Sequence, residues 1–354
     1  MYFECIDCAS STIANPTILR CPDCNSPLII NYDASQSNYE LPKTITLGEG
    51  NTSIIELTRF SQAIGITKVY AKLENTNPTG SFKDRGSSVM IGAISSAGIK
   101  DIVEDSSGNA GASVAAYAAR ANISTHIFVP ESAPKAKIDQ ITVYGATVHK
   151  VPGHRDNATK KAHDFVSQTG FLYASHNINP YFLEGTKSFA FELVDQLKNN
   201  LPDHIVIPVG NGSLLIATYL TLKHLKNLGS ITRVPKLHAI QSERFMPIVA
   251  EVNDTQWQFD QNATTVACGI ASSNPPRLKQ ILTSINEFNG SAASVTEESI
   301  LGYRSLLAES EGIYMEPTSS AAFAGLHALA DKNIIGPSDT VLIPVTGNGL
   351  KDSN

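Results

Sequence analysis

An α/β fold built on parallel sheet is what this sequence predicts, and three features carry that expectation. Short apolar or β-branched runs alternate with helical patterns of about ten to fifteen residues, the spacing of strands joined by helical crossovers. Two apolar runs, residues 205–209 and 341–345, stop abruptly at Gly-rich turns. The length, 354 residues, exceeds what one simple core usually spans and suits about two domains.

A polar link over residues 31–38 precedes the alternating pattern. Residues 68–73 (KVYAKL) read as a strand, followed by residues 77–86 (NPTGSFKDRG), where Gly80 allows an unusual turn and Lys83 stands at a strand-to-helix junction. Residues 101–105 are strand-like and give way to a Ser/Gly/Asn turn, then to an Ala-rich helix over 112–121. Strands are expected at 125–130, 146–151 and 171–174, with helices from 133 to about 144 and from about 155 to 166 between them. Residues 205–209 form a strand that ends in GNGS and enters a helix near Leu214.

Apolar residues make up 42% and charged residues 17% of the chain, and no apolar run approaches the roughly 20 residues needed to cross a bilayer. The first eight residues (MYFECIDC) are acidic where a secretory signal would be basic and then apolar, which points to the cytoplasm. A formal net charge of -6 and the lack of any Lys/Arg run argue for a small-molecule partner rather than nucleic acid.

Cys5, Cys8, Cys21 and Cys24 fall as C-x2-C-x12-C-x2-C, and Cys268 stands alone. Two such knuckles offer four soft thiolates at tetrahedral reach, which is how a zinc ribbon holds a segment too short to bury its own core. A pair of disulfides, disfavoured in a reducing compartment, or a ribbon without metal would share the spacing. Residues 1–30 are therefore read as a zinc-ribbon-like segment whose thiols are structural, and Cys268 as a small buried hydrophobe.

Ligands of open parallel sheets sit at the carboxyl ends of strands, so chemistry is sought in the Gly/Ser/Asn turns at 105–111 (DSSGNAG), 210–213 (GNGS) and 346–349 (TGNG). The second suits a phosphate, because glycines let backbone N–H groups converge and the helix start adds a favourable field. It is neither a Walker A loop nor a dinucleotide fingerprint, since Leu215 occupies the place of the third glycine. A tight βα connection would look the same, and a lysine such as Lys83 is commonly a solvated surface residue. A phosphate cradle together with a positioned lysine is, however, what an enzyme using pyridoxal phosphate requires.

Six stretches in order, 77–86 (NPTGSFKDRG), 106–120 (SSGNAGASVAAYAAR), 184–192 (EGTKSFAFE), 209–215 (VGNGSLL), 311–322 (EGIYMEPTSSAA) and 345–352 (VTGNGLKD), resemble the threonine synthases, in the fold type II family of pyridoxal-phosphate enzymes. The cysteine segment is similar to the ribbon that many threonine synthases carry. The resemblance implies a tryptophan synthase β-like fold of two open α/β domains plus the ribbon: a large domain from residues 31–87 and 186–354, a smaller mobile one at 88–185, and a homodimer. It implies that Lys83 forms a Schiff base with the cofactor and then serves as acid and base at the substrate α carbon, with Phe82 beside the ring. Asn109 is implied at the cofactor's 3'-oxygen, Gly210, Asn211, Gly212, Ser213 and Leu214 at its 5'-phosphate, and Thr346, through a neutral hydroxyl, at its pyridine nitrogen. Ser106, Ser107 and Ala110 are implied at the substrate α-carboxylate. Read singly, Asn109 could be a turn residue, Thr346 a strand-end cap, and Ser106 and Ser107 helix-capping groups.

The implied reaction takes O-phosphohomoserine and water to L-threonine and phosphate, so a second phosphate needs a cationic or polar grip. Arg155 is the first candidate, with Asn177, Lys187 and Arg85 behind it. In residues 179–185 (NPYFLEG), Phe182 stands where many threonine synthases have an arginine, and Glu104 and Asp105 put acidic groups just upstream of the Ser106 loop. A threonine or serine ammonia-lyase, or another β-replacement enzyme such as a cysteate-synthase-like one, is the competing reading.

Overall fold

The computed structural model describes residues 1–32, 44–153, 155–198 and 200–352, so most of the link expected at 31–38 lies outside the described residues. The strands are β1 (Tyr2–Cys5), β2 (Ser11–Ile13), β3 (Leu28–Asn31), β4 (Ile54–Glu56), β5 (Lys68–Lys72), β6 (Asp101–Glu104), β7 (Ser124–Pro130), β8 (Thr147–Val151), β9 (Leu172–Tyr173), β10 (His204–Pro208), β11 (Lys236–Ser242), β12 (Ala292–Val295) and β13 (Thr340–Pro344). The helices are α1 (Thr58–Ile64), α2 (Lys83–Ser96), α3 (Asn109–Arg120), α4 (Lys135–Val143), α5 (Arg155–Thr169), α6 (Pro180–Thr186), α7 (Ser188–Gln196), α8 (Ser213–Asn227), α9 (Pro247–Val252), α10 (Leu278–Glu287), α11 (Glu297–Glu311) and α12 (Pro317–Asp331). The chain forms two compact units, the first from Met1–Glu49, Asn77–Thr186 and Lys351–Asn354, the second from Gly50–Thr76 and Lys187–Leu350.

Unit 1 holds a parallel sheet in the order β8-β7-β6-β9 and an antiparallel ribbon in the order β2-β1-β3. The Ala-rich sequence of α3 has a packing reason, because both sides of the helix are covered. Ala112 and Ala115 join a core with Ile127 and Val129 of β7, while Val114, Ala116 and Ala118 join another with Met90 and Ile94 of α2. Phe3, Leu28 and Ile30 of the ribbon share that second core with Tyr181 of α6, so a segment too short for its own core borrows one. Helices α2 and α6 meet closely: a Cβ at Gly86 would lie 2.7 Å from the Phe182 ring, and one at Gly185 would lie 2.3 Å from the Arg85 carbonyl oxygen. Residues 77–87, which the resemblance groups with the large domain, are thereby tied through α2 to unit 1.

Unit 2 holds a sheet in the order β12-β11-β10-β13-β5-β4, parallel except for the edge strand β4. β10 is buried along its whole length, as a strand covered on both faces must be, and so reads as an unbroken apolar run. Val206, Ile240, Val341 and Ile343 pack with Phe323 and Leu326 of α12. The parallel register, with Ile205 opposite Leu342, carries the turn after β10 and the turn after β13 to the same end of the sheet.

At the other end of these strands, His204 Nδ1 lies 2.8 Å from His238 Nε2, His204 Nε2 lies 3.1 Å from Asp339 Oδ2, and His238 Nδ1 lies 2.7 Å from Ser291 Oγ. Burial, followed by the neighbouring His204, pushes the His238 imidazole down from 6.5 to about 3. In the unfolded chain the same ring takes a proton more readily, so stability is complete above pH 6.5 and falls as the pH drops from there towards 3. The expected loss is up to about 1.4 kcal/mol per pH unit for this one group. Urea midpoints measured from pH 7 to pH 4 check this, and His238→Gln is expected to flatten the acid side of the curve.

Candidate active site

The candidate residues divide between the two units, and each set is described within its own. In unit 1, residues 77–82 turn sharply, with Gly80 at φ 79°, and deliver Lys83 as the first residue of α2. Its Nζ lies 4.6 Å from the Phe82 ring centroid and 5.7 Å from that of Phe182. Asp84, which the sequence did not single out, holds this turn in place. Its carboxylate accepts from the Thr79 backbone N–H at 2.7 Å and hydroxyl at 2.6 Å, and from Ser113 of α3 at 2.6 Å. Burial raises the Asp84 carboxyl, and these donors oppose the shift.

The turn after β6 presents Ser106, Ser107, Asn109 and Ala110 together. Ser106 is buried and its Oγ accepts from the Gly108 N–H at 3.4 Å. A Cβ at Gly111 would come within 2.0 Å of the Ser106 carbonyl oxygen, so only glycine lets the turn fold back on α3. Asn109 opens α3, three residues earlier than the Ala-rich run suggests, and its Oδ1 accepts from Lys351 Nζ at 2.7 Å. Ala110 is buried in the first turn of the same helix.

Arg155 opens α5 on the surface, and its charge reaches both Glu104 and His176. Asp105 accepts from Thr159 of the same helix at 2.5 Å. Glu104 is fully buried: its Oε1 lies 3.0 Å from His176 Nδ1, and its Oε2 accepts from the His176 backbone N–H at 3.1 Å. Phe182 is fully buried too, with its ring against Gly86 and 5.6 Å from the His176 ring. Arg85 is 2% exposed inside unit 1, Asn177 is half-buried there, and Lys187 is a buried residue of unit 2, so of the cationic candidates Arg155 is the exposed one.

In unit 2, β10 ends at Val209 and the chain passes through Gly210, Asn211 and Gly212 into Ser213 and Leu214, the first residues of α8. Gly212 has φ 80°, and a Cβ there would lie 2.4 Å from the Ile281 side chain; one at Gly210 would lie 3.0 Å from Ile270 Cα. The loop thus packs on α10 and on the short turn Cys268–Ile270, while Asn211 Oδ1 accepts from Ser272 Oγ at 2.8 Å. The first N–H groups of a 15-residue helix have no partner within it, which suits an anion. Thr346 is buried with its Oγ1 2.9 Å from Ser319 Oγ, and the Gly347 N–H donates to that serine oxygen at 3.0 Å. Backbone N–H groups at a helix start and a buried pair of neutral hydroxyls are donors of the kind that pyridoxal phosphate needs, and Lys83 in unit 1 is an amine of the kind its aldehyde needs. Cys268 corrects the sequence reading: it is exposed, in the turn that abuts Gly210.

The ribbon repeats one knuckle twice. Cys5 and Cys21 each donate their N–H five residues on, to Ser10 and Ser26, and each accepts from a left-handed residue, Ala9 at φ 59° and Asn25 at φ 62°. The four sulfurs lie within 4.8 Å of one another, with Cys5 to Cys24 at 3.4 Å and Cys8 to Cys21 at 3.6 Å. Tetrahedral zinc with bonds of about 2.3 Å separates its sulfurs by nearly this amount. Burial pushes the Cys5 thiol up to about 12, and the Ser10 hydroxyl brings Cys8 down to about 6, so binding a metal must displace protons. Purified protein is expected to carry zinc by elemental analysis, and Cys5→Ser with Cys24→Ser is expected to lose it and lower the thermal midpoint.

The model of the pyridoxal-phosphate dependent enzyme family matches residues 45–347. A Methanosarcina acetivorans protein named threonine synthase is 35% identical over 99% of this chain and 92% of its own length. A Methanocaldococcus jannaschii protein of the same name is 35% identical over 88% of this chain and 77% of its own. A solved structure of serine racemase from Dictyostelium discoideum superposes with a TM-score of 0.70 at 25% identity, covering 84% of this chain and 92% of that one. Among the described residues no helix is long and apolar enough to cross a membrane. With a family model over most of its length and relatives above 30% identity over 88–99% of it, the chain belongs to the pyridoxal-phosphate-dependent enzymes, among the threonine synthases.

Proposed function

We propose that this chain converts O-phosphohomoserine and water to L-threonine and phosphate, with Lys83 as its reactive amine. The observation that carries the reading is likeness along 99% of the chain to a protein named threonine synthase. Bound pyridoxal phosphate supplies an electron sink that lets bonds at the substrate's α and β carbons ionise. The backbone N–H groups from Gly210 to Leu214, at the start of α8, hold its phosphate, and Asn109 its 3'-oxygen. Thr346 meets the ring nitrogen with a hydroxyl that does not enforce protonation, as an aspartate would, which favours elimination and replacement over transamination. Ser106, Ser107 and Ala110 bind the substrate α-carboxylate. Lys83 takes the α proton and returns a proton after water has added at the β carbon. Arg155 grips the departing phosphate.

The acidic pair upstream of Ser106 does not oppose an anionic substrate in this reading. Glu104 is turned inward onto His176, and burial followed by the adjacent Asp105 holds its carboxyl well above the usual range, hence un-ionised. Gly212→Ala is expected to weaken cofactor binding about tenfold or more, since an alanine at φ 80° is strained and its methyl would meet Ile281. Absorbance titration of the apoprotein with pyridoxal phosphate measures this.

The deciding assay offers O-phosphohomoserine to cofactor-loaded protein and follows phosphate and threonine, with L-threonine and L-serine in parallel. Equal yields of phosphate and threonine are expected. Phe182 favours a second reading, an ammonia-lyase for an unphosphorylated substrate, and keto acid with ammonia from threonine or serine, while phosphohomoserine stays inert, would establish it instead. A homodimer and a cytoplasmic place belong to the same proposal; a four-cysteine metal cluster suits a reducing compartment, and light scattering tests the dimer.

A further inference from the structure

The Glu104–His176 pair belongs to no role assigned above, yet it is built with care. The two side chains are 72 residues apart in sequence, both are buried, and both carboxylate oxygens are used, one on the imidazole at 3.0 Å and one on the His176 backbone N–H at 3.1 Å. His176 meets the Phe182 ring edge-on at 5.6 Å, and Lys83 Nζ lies 5.7 Å from the same ring, so a single aromatic side chain borders the dyad and the amine. Glu104 also closes β6, two residues before Ser106.

We infer that Glu104 and His176 are a positioning pair for Lys83: they carry one proton between them as a unit, and the charge they develop on losing it sets the ionisation of the Lys83 nitrogen. The inference rests on the role proposed for Lys83. Two directions support it. Burial and Asp105 raise the Glu104 carboxyl, while burial, then Lys83 and Arg155, hold the His176 imidazole well below its usual value. A carboxyl reluctant to ionise facing an imidazole reluctant to protonate leaves one shared proton and no net charge near neutrality. Among the described residues, the other groups around the pair include Asp105 on the same turn, Tyr173 of β9, whose hydroxyl burial and then Asp105 and Glu104 hold un-ionised, Arg155 of α5 and Lys83 of α2. When alkali removes the shared proton, the pair becomes negative and stabilises the protonated form of the Lys83 nitrogen.

The near-visible absorbance of the cofactor-loaded enzyme, titrated with alkali, reports that nitrogen. Glu104→Gln cannot become negative, and its midpoint is expected to fall by about one pH unit, the size of one charge acting across roughly ten ångströms at an effective dielectric of about 20. His176→Gln leaves the carboxyl with no base to share its proton and is expected to shift the midpoint by the same amount. The double variant is expected to move no further than either single one, because the two act as a unit. A purely structural role would lower thermal stability and leave all three midpoints in place, and additive shifts would mean two independent groups; either result overturns the inference. If a variant folds poorly, infrared spectroscopy of the wild-type protein decides the point, since the carbonyl stretch of an un-ionised buried carboxyl is expected at neutral pH and its absence would overturn the proposal. Loss of Lys83's own role would show differently, as an absorbance band that survives Lys83→Ala.

Discussion

Lys83→Ala is expected to abolish the near-visible absorbance of the cofactor-loaded protein and to lower turnover by at least about a thousandfold. In the proposed mechanism the amine is both the nucleophile that holds the cofactor and the base at the substrate α carbon, and each role alone is worth orders of magnitude. His176, the histidine that shares the Phe182 ring with it, is committed to Glu104 through Nδ1 and kept unprotonated by burial. The fold should tolerate the change, because α2 is also held by Asp84, by Gly86 against Phe182 and by the Arg85 carbonyl and Val89 against Gly185. Normal circular dichroism with lost absorbance is therefore the expected pair of results, and small primary amines added to the variant should restore some turnover. A variant that keeps full turnover would sink the mechanism.

What could be read from the sequence was the part whose chemistry needs particular residues at short, fixed offsets. A strand, a Gly/Ser/Asn turn and a helix follow one another at 101–120 and at 204–227, and Lys83, the Gly210 loop and Thr346 stood out as candidates because each lies in or just after a turn at the end of a strand. The four cysteines were visible for the same reason. Long-range pairings were not. Nothing near Glu104 announces a partner 72 residues away, so its carboxylate read as an obstacle to an anionic substrate rather than as half of a dyad. The helix α3 begins at Asn109 rather than at the Ala-rich run because Gly108, at φ -111° and ψ -149°, is non-helical and Asn109 already takes the helical conformation, a backbone choice that composition does not reveal. Cys268 was read from the habits of its residue type, whereas a short turn lying over Gly210 exposes it.

Lys72 makes the same point with a measurable consequence. In the run KVYAKL it looks like an ordinary exposed lysine on an edge, yet it is 0% exposed, in a strand with β13 on one side and β4 on the other. Its Nζ donates to Glu192 Oε1 at 2.6 Å, to Gln196 Oε1 at 2.9 Å and to the Thr52 carbonyl at 3.1 Å, spending all three of its hydrogens. Glu192 in turn accepts from the backbone N–H groups of Asn51 and Thr52 at 2.7 and 2.8 Å, so the network fastens residues 51–52 to α7. Lys72→Met keeps most of the side-chain volume but removes the ammonium group from which the Glu192 carboxylate accepts at 2.6 Å. Removing one partner of a buried pair typically costs about 3–5 kcal/mol, and because Glu192 retains 16% exposure and two backbone donors the lower end, about 3 kcal/mol, is expected. The double variant Lys72→Met with Glu192→Gln removes the stranded charge and should recover more than half of that loss, which urea unfolding of the cofactor-loaded protein would resolve. The effect should also reach the site, since the Lys72 carbonyl accepts from the Val345 N–H at 2.9 Å, one residue before Thr346. A Lys72→Met protein as stable as the parent would mean that the carboxylate finds water or protonates without cost, and that this lysine is held in place by packing alone.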